Sequence, residues 1–109
     1  MTGFRELNFL ETPSGRVPFY EWYDSLKDRQ TKRIIAGKLR QLQNIKFKNY
    51  KSVGGGVFEL RIFYGPGYRI YFGFEHEKII VAICGGDKKS QAKDIDQAIC
   101  FWKEYKSAS

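Results

Sequence analysis

The segment GVFELRIFYGPGYRIYF, residues 56–72, constrains the fold most strongly, because two apolar runs flank a glycine–proline turn. Side chains alternate between the two faces of a strand, so these runs predict a β-hairpin with one apolar face. The residues of that face are Phe58, Leu60, Ile62, Tyr64, Tyr68, Ile70 and Phe72. The opposite face carries Arg61 and Arg69, and burying an unpaired charge in a core is strongly unfavourable. The sequence therefore predicts that both arginines project from a face that the core leaves open.

Helical and strand patterns surround this hairpin. Residues 4–11 form a predicted first strand, and Pro18 suits the first turn of a helix. Apolar residues at helical spacing from 34 to 45 predict a second helix, and three glycines at 54–56 interrupt that pattern. The remaining predicted elements are three strands in an antiparallel meander, 57–64, 68–74 and 78–84, and a helix over 91–105.

The predicted element order is β-α-α-β-β-β-α, which indicates an α+β fold. In this architecture an antiparallel sheet has its helices packed on one face, and the other face stays partly open. The length of 109 residues is that of one domain, and the sequence shows no internal repeat. We therefore expect residues 1–109 to form a single domain.

The charge of the chain is unevenly distributed. Nineteen Lys and Arg residues against twelve Asp and Glu give a net charge of +7. No acidic residue lies between Asp28 and Glu59, and the bases of this stretch are Arg29, Lys32, Arg33, Lys38, Arg40, Lys46, Lys48 and Lys51. A field of one sign attracts phosphate backbones or acidic proteins. The alternative is a solvated helix surface that only improves solubility.

Composition makes some classes of function improbable. Cys84 and Cys100 lack the spacing of metal ligands and only His76 could join them, so we expect no metal site. We expect both cysteines to be reduced core residues and His76 to lie in an exposed turn. No apolar run is long enough to span a membrane, and the first residues lack the pattern of a signal peptide. These features predict a soluble cytoplasmic protein.

The arginine face of the hairpin has two interpretations on the residues alone. Glu59 can pair with Arg61 or Arg69 across the strands, which would only stabilise the sheet. Alternatively, the two guanidinium groups form a phosphate clamp, because the planar guanidinium binds phosphate through two parallel hydrogen bonds. The interpretations are compatible, since Glu59 could hold an arginine in position.

Three motifs carry a resemblance to a known family. They are Glu59-Leu60-Arg61, then Gly65-Pro66-Gly67-Tyr68-Arg69, then GGDKKSQ at 85–91 followed by Asp94-Ile95. With these motifs in this order, the chain closely resembles the addiction-module killer proteins, the HigB-like, phage-derived branch of the RelE/ParE toxin superfamily. The likeness covers nearly the whole chain and implies a RelE-like fold.

The resemblance implies the toxin of a type II toxin–antitoxin module, an endoribonuclease that cuts messenger RNA on the ribosome without a metal or other cofactor. The ribose 2′-hydroxyl attacks the adjacent phosphate, a reaction that needs a base, stabilisation of the developing charge and an acid. By similarity, Arg61 and Arg69 stabilise the phosphate, and Lys88, with Lys89 as its substitute, transfers a proton. The residues expected to orient the loop are Asp87, Gln91 and Glu59, although Asp87 could equally cap the last helix.

The resemblance also implies partners. These are messenger RNA on the ribosome, ribosomal RNA, and a cognate antitoxin with a helix-turn-helix DNA-binding domain. The residues expected to contact RNA or the ribosome are Lys38, Arg40, Lys46, Lys48, Lys51 and Tyr71. Two alternatives stay open: a non-enzymatic toxin that poisons DNA gyrase, as in the ParE branch, and a decayed toxin that only binds nucleic acid or antitoxin.

Overall fold

The structure, a computed structural model, describes residues 3–108 and contains within them five strands and three helices. The elements are β1 (Glu6–Phe9), α1 (Pro18–Ser25), α2 (Arg29–Gln43), β2 (Lys51–Gly54), β3 (Val57–Ile62), β4 (Tyr68–Glu75), β5 (Ile79–Gly86) and α3 (Gln91–Ser107). The strands form one sheet in the order β1-β5-β4-β3-β2. The α+β class is confirmed, and the architecture is compatible with a RelE-like fold.

The sheet differs from the prediction in two respects. Residues Lys51–Gly54 form an additional edge strand, which pairs antiparallel with β3. This strand has four mostly exposed residues, so it carries no apolar alternation that a sequence pattern could reveal. In addition, β1 pairs in parallel with β5, so the sheet is mixed and not wholly antiparallel. That pairing joins distant parts of the chain, which local periodicity does not report.

Of the three glycines at 54–56, Gly54 ends β2, and Gly55 and Gly56 form the tight turn to β3. All three have positive φ angles, 103°, 62° and 83°, a region that residues with a Cβ atom rarely adopt. The turn also lies directly against α3, because a Cβ atom on Gly55 would lie 2.8 Å from Ile99 and one on Gly56 would lie 2.9 Å from Trp102. The predicted break in the helical pattern is thus confirmed as a hairpin turn.

Helices cover both faces of the sheet, so the expectation that they pack on one face is wrong. The core between the sheet and helices α1 and α2 contains Phe19, Ile35, Leu39, Leu42, Leu60, Ile62, Ile70, Phe72, Ile80 and Ala82. The second core, under α3, contains Leu10, Val57, Tyr71, Val81, Ile83, Cys84, Ala98 and Trp102. The face predicted to be open is therefore partly covered by α3.

Two glycines at the end of β5 let helices approach from both sides. A Cβ atom on Gly85 would overlap the ring of Trp22 in α1, and one on Gly86 would overlap the carboxylate of Asp94 in α3. The consecutive glycines of the GGDKKSQ motif thus have a packing role on opposite faces. They fix the end of β5, and the loop that follows it, between the two helices.

Helix α2 has defined ends. The carboxylate of Asp28 accepts hydrogen bonds from the backbone N–H of Thr31 at 3.1 Å and from its hydroxyl at 2.7 Å, which caps the N-terminus. The buried guanidinium of Arg5 donates to the carbonyl oxygens of Leu42, Asn44 and Ile45 at 3.1–3.4 Å. These bonds satisfy carbonyls that have no partner inside the helix. The helix ends at Gln43, short of the predicted position 45.

The cysteines and the histidine have different environments. Cys84 is buried, as predicted, but Cys100 is exposed on α3, so the prediction that it lies in the core is wrong. Both are free thiols. His76 lies in the exposed turn between β4 and β5, as predicted. No helix within residues 3–108 has the length and apolar character needed to cross a bilayer.

Candidate functional site

The strand register brings the charged residues of the hairpin into two rows on the face that α3 partly covers. Arg61 pairs directly with Arg69, and Glu59 pairs with Lys51 on one side and Tyr71 on the other. Residues two apart in a strand share a face, so both rows lie on the same side. Like charges directly opposite each other destabilise a sheet. A nearby negative charge would offset the repulsion between Arg61 and Arg69, and Glu59 lies beside them on the same face.

Glu59 is the centre of this cluster, and its side chain is fully buried. One carboxylate oxygen, Oε1, accepts a hydrogen bond from Arg61 Nε at 3.2 Å and lies 4.0 Å from Lys51 Nζ. The other, Oε2, accepts hydrogen bonds from Gln91 at 2.8 Å and from the Tyr71 hydroxyl at 3.1 Å. Arg69 Nε lies 3.5 Å from the same oxygen and forms an ion pair with it.

The surroundings of Glu59 determine its ionisation. Burial is the largest influence and acts to raise the pKa of Glu59. The hydrogen bonds from Gln91, Arg61 and Tyr71, together with the positive charge of Arg69, outweigh burial, so the pKa of Glu59 is lowered. Burial and the adjacent Glu59 raise the pKa of Tyr71. At neutral pH the carboxylate is thus ionised and the neutral Tyr71 hydroxyl donates to it.

The two arginines differ in exposure. The side chain of Arg69 is 7% exposed, and one of its terminal nitrogens donates to the carbonyl of Gly67 at 2.9 Å. The side chain of Arg61 is 42% exposed, and its hydrogen bond to Glu59 uses only Nε. Among residues 3–108, no protein group forms a hydrogen bond with the terminal nitrogens of Arg61. Arg61 can therefore bind an external anion while Glu59 holds it.

A cleft of about 280 Å³ lies next to these arginines. Its lining residues are Arg61, Ile62, Phe63, Gly67, Tyr68, Arg69, Lys88 and Gln91. Lys88, the predicted proton-transfer residue, thus lines the same cleft as Arg61 and Arg69, and it lies next to Gly67. Lys89 is exposed and does not line the cleft, so its role as a substitute stays a prediction.

The loop between β5 and α3 holds Lys88 at the cleft. The carboxylate of Asp87 accepts hydrogen bonds from the backbone N–H of Ser90 at 3.1 Å and from its hydroxyl at 3.2 Å. Ser90, not Asp87, occupies the N-cap position of α3, and its hydroxyl also donates to Asp94. Gln91, the first residue of the helix, anchors this end of α3 to Glu59.

Several residues predicted to contact RNA lie elsewhere. Tyr71 is fully buried, so it cannot contact a ligand at the surface, and its hydroxyl instead supports Glu59. Lys38 and Arg40 are on α2, which packs on the opposite face of the sheet, and Lys46 and Lys48 follow that helix. Of the predicted lysines, only Lys51 reaches the Glu59 cluster.

Phe63 is a surface residue to which the sequence pattern assigned no role. It follows β3 on the same face as Arg61, and its side chain is 88% exposed. It lines the 280 Å³ cleft and also a second cleft of about 180 Å³ on the side of Lys51. Alternation along the strand places Phe63 on the same face as Arg61, but only the structure shows that α3 leaves Phe63 uncovered.

The site can bind an anion through several cations held on one carboxylate. Lys51, Arg61 and Arg69 form ion pairs with the buried Glu59, and Lys88 lines the cleft beside the two arginines. Bidentate guanidinium groups are well suited to phosphate. Within the described part of the chain, no group of three or more His, Cys, Asp or Glu residues is arranged to hold a metal ion.

Comparison with known proteins places the chain in a family. The profile of the phage-derived protein Gp49-like family (DUF891) matches residues 21–100, which is most of the chain and includes both clefts. The chain belongs to this family. The Gp49-like chain is also similar to an uncharacterized protein of Haemophilus influenzae, with 42% identity over 82 residues. That alignment covers 75% of this chain and 83% of the Haemophilus protein.

Proposed function

We propose that this Gp49-like chain is the toxin of a type II toxin–antitoxin module, of the HigB-like branch, and that it cuts messenger RNA. The observation that carries the proposal is the cleft in which Arg61, Arg69 and Lys88 converge above the buried Glu59. Membership of a phage-derived family supports a toxin, since addiction modules occur in that setting. The three motifs of the sequence contribute the residues of this one cleft.

The reaction follows from the chemistry of these side chains. The ribose 2′-oxygen forms a bond to the adjacent phosphorus, the bond to the 5′-oxygen breaks, and a 2′,3′-cyclic phosphate remains. Arg61 and Arg69 offset the negative charge that develops on the phosphoryl oxygens. The ammonium of Lys88 gives a proton to the leaving 5′-oxygen, and water takes the proton of the 2′-hydroxyl.

The proposal includes the ribosome and an antitoxin as partners. A site built from lysine and arginine has no strong base, so orientation of the substrate by the ribosome would contribute much of the rate. Lys38, Arg40, Lys46 and Lys48 are then available for ribosomal RNA, because they lie away from the cleft. A cognate antitoxin with a helix-turn-helix domain would neutralise the toxin and bind the promoter of the module.

The test is inducible expression in a bacterial host, with transcript ends mapped by primer extension soon after induction. We expect growth arrest and new 5′ ends within codons, with upstream fragments that carry a 2′,3′-cyclic phosphate. Arg61→Ala should reduce cleavage by about 100- to 1000-fold, the usual effect of removing one donor to a developing anion. Arg33→Ala, an exposed arginine on α2, is the matched control and should cut like the unchanged protein.

The outcomes separate the alternatives. If Arg61→Ala remains fully toxic and produces the same transcript ends, the cleft is not the active site. Growth arrest without new RNA ends, but with DNA breaks that a resistant gyrase suppresses, would identify a gyrase poison. If expression causes neither arrest nor cleavage, the chain acts only as a binding module.

A further inference from the structure

Phe63 is the most exposed large apolar side chain among the described residues. Its exposure of 88% compares with 78% for Phe4, 48% for Tyr20 and 37% for Tyr64. Single exposed apolar residues are common on protein surfaces, so exposure alone assigns no role. What distinguishes Phe63 is its position, because it stands between two clefts that are lined by cations.

Among residues 3–108, only Arg61 and Phe63 line both clefts. The 280 Å³ cleft lies on the side of Arg69 and Lys88, and the 180 Å³ cleft lies on the side of Lys51 and Glu59. Phe63 follows Arg61 by two positions at the end of β3, and alternate residues of a strand have Cα atoms roughly 7 Å apart on one face. None of the described aromatic rings packs against the ring of Phe63. Its faces are therefore open to a ligand.

The charges around this ring select the ligand. The ionisable residues lining the two clefts are Lys51, Glu59, Arg61, Tyr68, Arg69, Lys88 and Tyr50. The one acid among them, Glu59, is buried and already bound by Arg61, Gln91 and Tyr71. The accessible surface thus joins positive charge to an aromatic face. Single-stranded nucleic acids are bound by this combination, with cations along the backbone and aromatic rings under the bases.

We propose that Phe63 is a stacking platform for the nucleobase next to the phosphate that Arg61 binds in single-stranded RNA. The inference rests on the proposed function for the identity of that phosphate, but it concerns binding and not cleavage. Because every base has a π-face, the platform would hold any of the four bases with little preference. Codon preference would then originate outside this contact.

The test measures affinity at low salt for a short 2′-O-methyl RNA, which cannot be cleaved, and for an abasic strand with the same backbone. Phe63→Leu keeps an apolar side chain but removes the ring, and we expect it to weaken binding of the RNA by about 5- to 150-fold. Phe63→Trp should restore the affinity. Binding of the abasic strand should not change in either variant. Phe4→Leu, at another exposed phenylalanine, should bind like the unchanged protein.

Each result bears on one proposal. Equal affinity of the unchanged protein for the RNA and the abasic strand would overturn the platform, as would unchanged RNA binding by Phe63→Leu, even if Arg61→Ala abolishes cleavage. Conversely, ring-dependent binding of RNA by a protein that cuts no transcript would support the platform and refute the nuclease. If Phe63→Leu loses binding to both strands equally, the residue holds the backbone surface in shape and stacks on no base.

Discussion

Replacing Glu59 with glutamine would remove one negative charge from the cluster and keep the size of the side chain. The glutamine amide would face donors on Arg61, Tyr71 and Gln91, all of which now donate to the carboxylate. Arg69 would lose its counter-ion while its side chain stays 7% exposed. The substitution therefore tests whether the interior carboxylate holds the cations together.

The expected loss of stability is large. Removing one partner of a buried ion pair costs about 3–5 kcal/mol, because the other charge is left uncompensated. The pairs with Arg61 and Lys51 add little, since those side chains are 42% and 56% exposed and such pairs are screened by water. Against a typical unfolding free energy of about 5–15 kcal/mol, this loss should lower Tm by more than about 10 °C.

The effect should depend on pH. The pKa of Glu59 is lowered in the folded protein, so the unfolded chain takes up a proton first as the pH falls. The stabilisation from Glu59 is complete above the pKa of an unfolded glutamate, about 4.3, and is lost as the pH falls through the lower folded value. The difference between the unchanged protein and Glu59→Gln should be constant around neutral pH and shrink in strong acid.

Urea unfolding followed by circular dichroism across this pH range would measure the effect. Glu21→Gln is the control, because it breaks an exposed ion pair with Arg16 at 2.7 Å and should leave the midpoint unchanged. If Glu59→Gln does not fold, Tyr71→Phe removes one hydrogen bond to the carboxylate and should cost about 1.5–3 kcal/mol. Unchanged midpoints at neutral pH in Glu59→Gln would show that Glu59 is not the counter-ion of Arg69.

Two further predictions concern the loop that completes the cleft. Lys88→Ala should lower the rate of single-turnover RNA cleavage by about 100- to 10,000-fold, the usual contribution of a general acid. Lys89→Ala is the control and should cleave RNA at the normal rate. Equal losses in the two variants would show that Lys88 is not the proton donor. Gly86→Ala should destabilise the protein and displace α3, because the new methyl group would overlap Asp94. Gly37 lies within α2, and a Cβ atom there would meet only the end of the Arg40 side chain. Gly37→Ala should therefore stabilise the protein by about 0.5–1 kcal/mol. If thermal melts show Gly86→Ala to be the more stable of the two variants, the packing argument is refuted.

The hairpin was predictable because strand alternation is local and has a period of two residues. Alternation correctly separated Leu60 and Ile62 from Arg61 and correctly placed Arg69 opposite Arg61. The prediction that both arginines project from an open face is wrong for Arg69, which is buried. The partners of Glu59 were only partly predictable, because they depend on the register between strands and on which face the last helix covers. Gln91 reaches the carboxylate only because α3 packs on that face.

The errors about the faces of the sheet also arise because tertiary packing cannot be read from local periodicity. A helix pattern shows which side of the helix is apolar but not which face of the sheet receives it. Once α3 is assigned to the wrong face, Tyr71 is expected at the surface, whereas it is buried beneath that helix. Alternation places Phe63 on the face of Arg61, but its exposure was not predictable, because the sequence does not show which part of that face α3 leaves uncovered.

The carboxylate of Glu59 also limits how the cleft can be regulated. Its cations are held by a counter-ion inside the protein, so they converge whether or not a ligand is bound. Distorting such a surface would mean separating Arg69 from Glu59, which is strongly unfavourable in the interior. Covering the surface requires no such separation. Control of this cleft is therefore expected to operate by occlusion, with an inhibitor that presents acidic groups to Arg61 and Lys88 and leaves the fold beneath them unchanged.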